Sequence, residues 1–412
     1  MTRIQLRGLP SLDNYGTAMM GLVTIAGLAQ RIPGPVQFDV VLHKETDIAE
    51  IVAETGIDPA RVRITRANLG GRPRLATPAG LWLRLRELIG SKSIRDFDLL
   101  VVLGGDDISE YYRPNIWRYI ALYWVRARSA PVALLAQTVG PFARLPNRLA
   151  VRFLMPSLRV VPRDRWTTGY LADEFGLRRN VIQGSDLAYN DLPLQHDSAL
   201  QAETLARYGL VPERYATVVV SGMQKDGYYT SDAAAYYQRW ADIVQALLAL
   251  PAMAEKRICL LAHTFGIYGD ESVNIARVLD LLPAEARARV VPVTDRILAT
   301  RARFVLGGGL FTVTGRMHPA VSTFQMGKPA ITLAYSKKYE GVIGTMLGRS
   351  DLIIDANHPE LWAGQAIVDL VATKAEQTLA RHDQLCADIR AAIAEQKKMV
   401  AASLDDLAAL VR

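Results

Sequence analysis

The sequence predicts an α/β protein of two doubly wound domains in tandem, followed by a helical C-terminal segment. Three observations carry this. Apolar runs such as DLLVVL (98–103) and PVALLAQ (131–137) are continuous rather than alternating, the pattern of strands buried on both faces of a parallel sheet. Such runs alternate with helical periodicity in βαβα order. The series then starts again at ATVVVS (216–221), beyond a polar, partly helical stretch from His196 to Glu213. With 412 residues, half of them hydrophobic and 22% charged, the chain has the length for two or three domains and the apolar content for sizeable cores. The expected domains are 1–197 and 198–358, with 359–412 packing back across the junction. A cleft between the two α/β domains is where a site is expected.

In the first half, residues 4–9 read as a strand, SLDNYG (11–16) as a turn and 17–30 as an apolar helix. This opening has no G-x-G-x-x-G and no P-loop lysine, so neither nucleotide motif applies. Strands are expected at 36–43, 61–65 and 98–103, a helix at 45–55, a loop at 69–78 and a helix at 81–89. The run 98–103 ends in Gly104-Gly105-Asp106-Asp107. Paired glycines let a ligand or another loop approach the backbone. The paired carboxylates suit a metal, a base or a helix N-cap. Residues 111–128 read as an amphipathic helix with aromatics and arginines, for packing or for facing lipid-linked material. Strand 131–137 runs into TVGPF, strand 158–161 into Pro162-Arg163-Asp164, and a helix is expected at 166–175. A short strand, 181–186, ends in Asp186.

In the second half, 222–230 is a loop with glycine, tyrosine, Lys225 and Asp226, and 232–249 a long helix. Strand 257–262 ends at His263, a helix follows at 272–282, and 290–293 is a strand. Residues 310–354 are the stretch around which the chain is organised: strand, turn, short helix, strand, helix, strand. Its first apolar run ends in Thr314-Gly315, which puts Arg316 and His318 at the mouth of a helix with Pro319 in its first turn. A helix N-terminus offers unsatisfied N–H groups and a partial positive charge, so it favours anions. An arginine and a histidine there are candidates for holding phosphate or carboxylate. The next strand, ITLAY, ends at Tyr335, followed at once by Ser336, Lys337 and Lys338 in a chain where lysine is scarce. Two strand ends thus deliver Arg, His, Tyr and Lys to one edge of a sheet, where open α/β sheets bind ligands. Residues 359–412 are Ala-rich and helical.

Composition excludes several classes. The formal charge of +7 is mostly arginine spread along the chain, which fits an anionic substrate or a membrane surface. There is no Lys/Arg block with interleaved aromatics, so no nucleic-acid partner is expected. Cys259 and Cys386 make neither a C-x-x-C pair nor a disulfide framework, so a reducing compartment is expected. Residues 1–16 lack the apolar core of a signal peptide, and no apolar run reaches membrane-span length. A soluble, cytoplasmic protein is expected, and peripheral association with the inner face of the membrane is compatible with that.

Taken together, these motifs resemble the polysaccharide pyruvyl transferase family over nearly the whole chain, from Asn14 to about Asp355. Asn14 and Gly16 match the family's N-x-G-D, with Thr17 where an Asp is usual. DLLVVLGGDD is similar to its Gly-rich strand end, AQTVGPF (136–142) to its Q-S-x-G-P segment, Arg163-Asp164 to its R-D pair before a helix, and Gly184-Ser185-Asp186 to its later strand-end Asp. GRMHPAVSTFQMGKPAITLAYSKKYEG is similar to R-x-H…G-x-P…Y-x-x-K, the most specific piece. Gly222-Met223-Gln224 stand where members often carry an Arg. The resemblance implies a GT-B-like fold of two Rossmann-type domains, and transfer of pyruvate from phosphoenolpyruvate to sugar hydroxyls of a cell-surface polysaccharide or lipid-linked glycan.

On that chemistry a trianionic donor needs positive groups in fixed geometry, which suits Arg. A His near neutral pKa serves as acid or base. His318 is assigned to acid/base work or to the departing phosphate, and Arg316 and Lys338 to the donor anions. Tyr335, Lys337 and Lys225 are further donor-side candidates. Asn14, Gly105, Asp106 and Asp186 are the acceptor-side candidates. No cofactor and no metal are expected. A GT-B glycosyltransferase using a nucleotide-sugar, and a non-catalytic glycan-binding member, are the alternatives.

Overall fold

The computed structural model describes residues 1–66, 97–111, 113–266 and 269–411. The loop expected at 69–78 and the helix expected at 81–89 lie outside these residues. Among them are two six-stranded sheets, parallel throughout. The chain divides into two compact units. The first comprises Met1–Ser11, Met20–Leu187 and Lys397–Arg412; the second comprises Leu12–Met19 and Ala188–Gln396.

The strands of the first unit are β1 (Thr2–Arg7), β2 (Val36–Val40), β3 (Val62–Arg66), β4 (Leu99–Leu103), β5 (Val132–Gln137) and β6 (Arg159–Pro162). Their order is β3-β2-β1-β4-β5-β6. All five residues of β4 and all six of β5 are buried, which is why these runs are apolar without alternation. β2 is also wholly buried yet contains Gln37 and Asp39. Their polar groups are satisfied laterally: Gln37 Nε2 donates to Asp39 Oδ1 (2.9 Å), and Arg3 pairs with Asp39 Oδ2 (3.2 Å). The end of the C-terminal helix belongs to this unit. There Asp405 pairs with Arg31 (2.7 Å), Asp406 pairs with Arg159 (3.1 Å), and Leu404 lies so close to Gly27 that a Cβ there would meet its Cδ1 at 2.5 Å.

The strands of the second unit are β7 (Tyr215–Val219), β8 (Arg257–Leu261), β9 (Val290–Val293), β10 (Thr312–Thr314), β11 (Ala330–Ala334) and β12 (Ile353–Asp355), in the order β12-β11-β10-β7-β8-β9. This repeats the topology of the first sheet. In each, the chain lays strands outward on one side and then returns to start the other, so the order reverses between β1 and β4 and between β7 and β10. Loops leaving the carboxyl ends of the strands diverge at such a switch point, and ligands collect there.

Several expected elements differ. The helix expected at 111–128 is Trp117–Arg126, because Pro114 biases the residue before it away from helical backbone. The strand expected at 181–186 is a single bridge, Val160 to Val181, followed by separate bonds from Ile182 N to Val160 O and Gly184 N to Pro162 O (2.9 Å each). Helices that the sequence reading does not include are, among others, Leu145–Phe153 and Ala299–Gly308. The second runs into Gly307-Gly308-Gly309, poor helix formers that sequence propensity penalises. Packing overrides that penalty: a Cβ on Gly308 would lie 2.6 Å from Tyr215 Oη, and one on Gly307 2.6 Å from Met326 Cγ.

Candidate active site

The switch point of the second sheet is built by the ends of β10 and β7. After β10, Thr314 Oγ1 accepts from Arg316 N (2.9 Å) and donates to Arg316 O (3.1 Å), which folds the turn tightly. Gly315 is wedged within it: a Cβ there would lie 2.8 Å from Ser221 Cβ and 2.9 Å from Tyr229 Oη. Its carbonyl accepts from Tyr229 Oη (2.5 Å) and Tyr339 Oη (2.9 Å). Arg316 is then the N-cap residue of the helix Met317–Gln325, and His318 sits in that helix's first turn.

Arg316 is held by a residue from another strand end. Its Nε donates to Oε1 of Glu271, a carboxylate that is completely buried in the first turn of the helix Glu271–Leu281. Glu271 is fixed in turn: Oε2 accepts from His263 N (2.9 Å) and its own N–H donates to Thr264 O (3.0 Å), just beyond β8. Burial works against the charge on Arg316, but the adjacent Glu271 outweighs it and holds the guanidinium pKa above its ordinary value. The pair is therefore charged, desolvated and directional, the kind of hydrogen-bonded ion pair that fixes an orientation.

The segment 12–19 completes this corner. Asn14 bridges Thr264, and Tyr15 N donates to His263 O (3.3 Å). Asn14 Oδ1 accepts from Gly16 N (3.1 Å) and Thr17 N (3.4 Å), capping the helix Tyr15–Arg31. A Cβ at Gly16 would stand 2.3 Å from Cγ and Nδ1 of His318, so only glycine lets the ring lie there. Two motifs far apart in the sequence, the one with Gly16 and the one with His318, thus meet in direct contact. His263, with its ring edge against Tyr15 at 5.3 Å, has a pKa well below the ordinary histidine value. Burial is the main cause, reinforced by the neighbouring His318 and by the guanidinium groups of Arg316 and Arg303, so its imidazole is neutral.

Among the described residues, Arg316 Nη2, His263 Nε2, Thr264 Oγ1 and Ser336 Oγ are buried without a hydrogen-bond partner. Buried polar atoms are nearly always paired in folded proteins, so a group of them on adjoining strand ends marks where a polar ligand would be received. Gly222, after β7, leaves space beside one of them: a Cβ there would stand 3.7 Å from Arg316 Nη2.

Among the residues singled out in the sequence, Tyr335 is buried at the end of β11, and Lys338 Nζ donates to its Oη (2.8 Å) while lying 4.7 Å from the ring centroid. The Tyr335 ring meets Tyr228 at 4.6 Å and Tyr229 at 5.8 Å, so this strand end is tied to the loop after β7. Lys337 and Lys225 are exposed. The second unit therefore brings Arg316, His318, Tyr335, Lys338 and Asn14 to adjoining strand ends. Gly105, Asp106 and Asp186 belong to the first unit. Gly105 faces open space, whereas Asp186 is fully buried and its Oδ2 accepts from Arg163 Nη1 (2.9 Å). Asp106 and Asp164 add to the negative field that, with Asp186, keeps the buried Arg163 charged. Residues at the site that were not assigned from sequence include Glu271, His263 and Thr264. The available signal was an acid at the start of the helix that follows a strand-end histidine.

A family model described as polysaccharide pyruvyl transferase matches residues 14–337, a span that opens at Asn14 and includes Arg316 and His318. No curated protein matches the sequence significantly. Among solved structures, the S. aureus MnaA–UDP co-structure superposes with a TM-score of 0.58 at 12% identity, covering 94% of this chain and 91% of its own. UDP-GlcNAc 2-epimerase from Neisseria meningitidis bound to UDP-GlcNAc gives 0.60 at 9% identity, covering 100% and 98%. The Methanocaldococcus jannaschii UDP-GlcNAc 2-epimerase in complex with UDP-GlcNAc and UDP gives 0.54 at 10% identity, covering 90% and 93%. At such identities the likeness shows the fold alone, and that fold is GT-B.

Proposed function

The chain belongs to the polysaccharide pyruvyl transferase family, and from that premise we propose that it moves the pyruvyl group of phosphoenolpyruvate onto two hydroxyls of a sugar in a polysaccharide or lipid-linked glycan precursor. The observation that supports this best is the Arg316 corner. A guanidinium oriented by a fully buried carboxylate keeps one nitrogen, Nη2, without a protein partner among the described residues, in the turn before His318. A planar fork of that kind matches a carboxylate or phosphate oxygen pair, and phosphoenolpyruvate carries both groups.

In the proposed reaction a sugar hydroxyl oxygen attacks C2 of the enol phosphate while C3 takes a proton and becomes a methyl group. The bond from C2 to the phosphate oxygen then breaks, and phosphate leaves with the electron pair. A second hydroxyl of the same sugar adds at C2 and closes the ketal. Of the two hydroxyl protons, one is balanced by the proton on C3 and the other leaves with phosphate or solvent. His318 handles a proton at C3 or at the departing phosphate, while Arg316 and Lys338 hold the donor's anions. Tyr335, Lys337 and Lys225 are the further donor-side residues. Asn14, Gly105, Asp106 and Asp186 remain the acceptor-side assignments; of these, Asn14 already spends its side-chain oxygen on a helix cap. The reaction so written uses no cofactor.

Donor binding is tested by thermal unfolding. A ligand that binds only the folded chain stabilises it by about 2.7 kcal/mol at a hundredfold excess over its Kd. The midpoint is expected to climb with the logarithm of phosphoenolpyruvate concentration, and the climb is expected to vanish in Arg316→Gln. A climb with UDP-GlcNAc and none with phosphoenolpyruvate would instead favour a nucleotide-sugar glycosyltransferase.

A further inference from the structure

The helix Leu145–Phe153 of the first unit buries Asn147, Ala150 and Val151 and turns its other face outward. That outer face is apolar where a soluble surface should be polar: Leu145 is 66% exposed, Leu149 45% and Phe153 65%. Their spacing of four residues sets them in one stripe along the helix. Phe153 and Arg152 also line a surface groove of about 610 Å³ with Phe175, Leu177, Arg178 and Arg179. A further exposed aromatic, Trp166, stacks on Tyr170 at 5.0 Å, and Tyr170 joins the same aromatic cluster through Phe142 and Phe175.

The charges around the stripe are predominantly positive. Arg148 is paired with Glu174 (3.2 Å) and Arg178 with Asp173 (3.4 Å), and Glu110 is taken up by the N–H groups of Ala143 and Arg144. Arg152 and Arg179 have no ion-pair partner among the described residues. A helix with exposed large apolar residues on one side and arginines beside them has the composition of an interfacial helix, and tryptophan is favoured at the same depth. Self-association through this face would set two positively charged rims against each other. A surface of fixed negative charge over an apolar interior satisfies both halves of the pattern.

We propose that this face of the first unit docks on an anionic phospholipid bilayer, with Leu145, Leu149 and Phe153 at the acyl boundary and Arg152 and Arg179 among the headgroups. Attachment of this kind is peripheral and reversible, strengthened by anionic lipid and weakened by salt. It is independent of how the donor is bound and would hold an enzyme at the surface where a lipid-linked acceptor resides.

The test is co-sedimentation of the full chain with phosphatidylcholine vesicles with and without phosphatidylglycerol. Binding is expected to the anionic vesicles and to decline with salt. Leu149→Ser/Phe153→Ser and, separately, Arg152→Glu/Arg179→Glu are each expected to lower partitioning at least about tenfold. The thermal midpoint should remain unchanged, because these side chains are already exposed. Absence of binding, or binding that neither variant reduces, overturns the proposal. So does a concentration-dependent dimer in analytical ultracentrifugation that the serine variant dissolves, since the stripe would then be a subunit interface.

Discussion

Replacing His318 by alanine is expected to lower turnover roughly 10²–10⁴-fold, the usual contribution of a positioned general acid or base, with little change in thermal midpoint. The physical argument rests on where the ring sits. It lies in the first turn of the helix Met317–Gln325, beside Arg316, half-buried, with its Cγ and Nδ1 against the bare backbone of Gly16. Little apolar surface is lost when the ring is removed, so the fold should tolerate alanine. The opposite expectation belongs to a histidine that merely props the turn after β10. Alanine would then cost midpoint and leave activity in proportion to the folded fraction. Measuring phosphate release and the unfolding midpoint on one preparation separates these cases. A large drop in midpoint with normal activity per folded molecule would remove His318 from the chemistry.

The second large effect is expected at Glu271. Alanine there leaves Arg316 charged with its counter-ion gone and removes the acceptor for His263 N. Breaking a buried ion pair by deleting one partner costs about 3–5 kcal/mol. The Arg316 side chain is 14% exposed, which places the cost near the lower end of that range. Glu271→Gln keeps an oxygen for the His263 N–H and is expected to cost less. The single variants Glu271→Gln and Arg316→Met each strand a polar partner, whereas the double variant strands neither charge. The double variant is therefore expected to be less destabilised than the sum of the two singles. Additive effects in chemical denaturation would show that the two side chains do not depend on each other, and the orienting role of Glu271 would fail.

What could be read from the sequence was local. The strands are apolar runs because parallel strands are buried on both faces, so β4, β5, β7, β8 and β11 were legible within a residue or two. So was the corner of Arg316 and His318, because a strand end, a turn and a helix start follow one another within a few residues. Glu271 was not legible. It reaches Arg316 only because the sheet order β10-β7-β8 brings the two strand ends near each other. Gly16 and His318 come from opposite parts of the chain, and no periodicity relates them. The helix Leu145–Phe153 escaped because its apolar spacing belongs to the exposed face, while its buried face includes an asparagine whose side chain bonds Glu110 and Pro114 O. The helix Ala299–Gly308 escaped because its glycines are set by close packing and not by propensity.

The central claim is that the donor is phosphoenolpyruvate and that the product is a ketal. Its most direct test is one incubation of the purified chain with phosphoenolpyruvate and a panel of glycan acceptors, followed by proton NMR of the glycan and an assay of free phosphate. The account predicts a new methyl singlet on a quaternary ketal carbon, formed in equal amount with phosphate and lost in Arg316→Gln. Phosphate and ketal absent with every acceptor, while a nucleotide-sugar in the same panel releases nucleotide and lengthens the glycan, would contradict it.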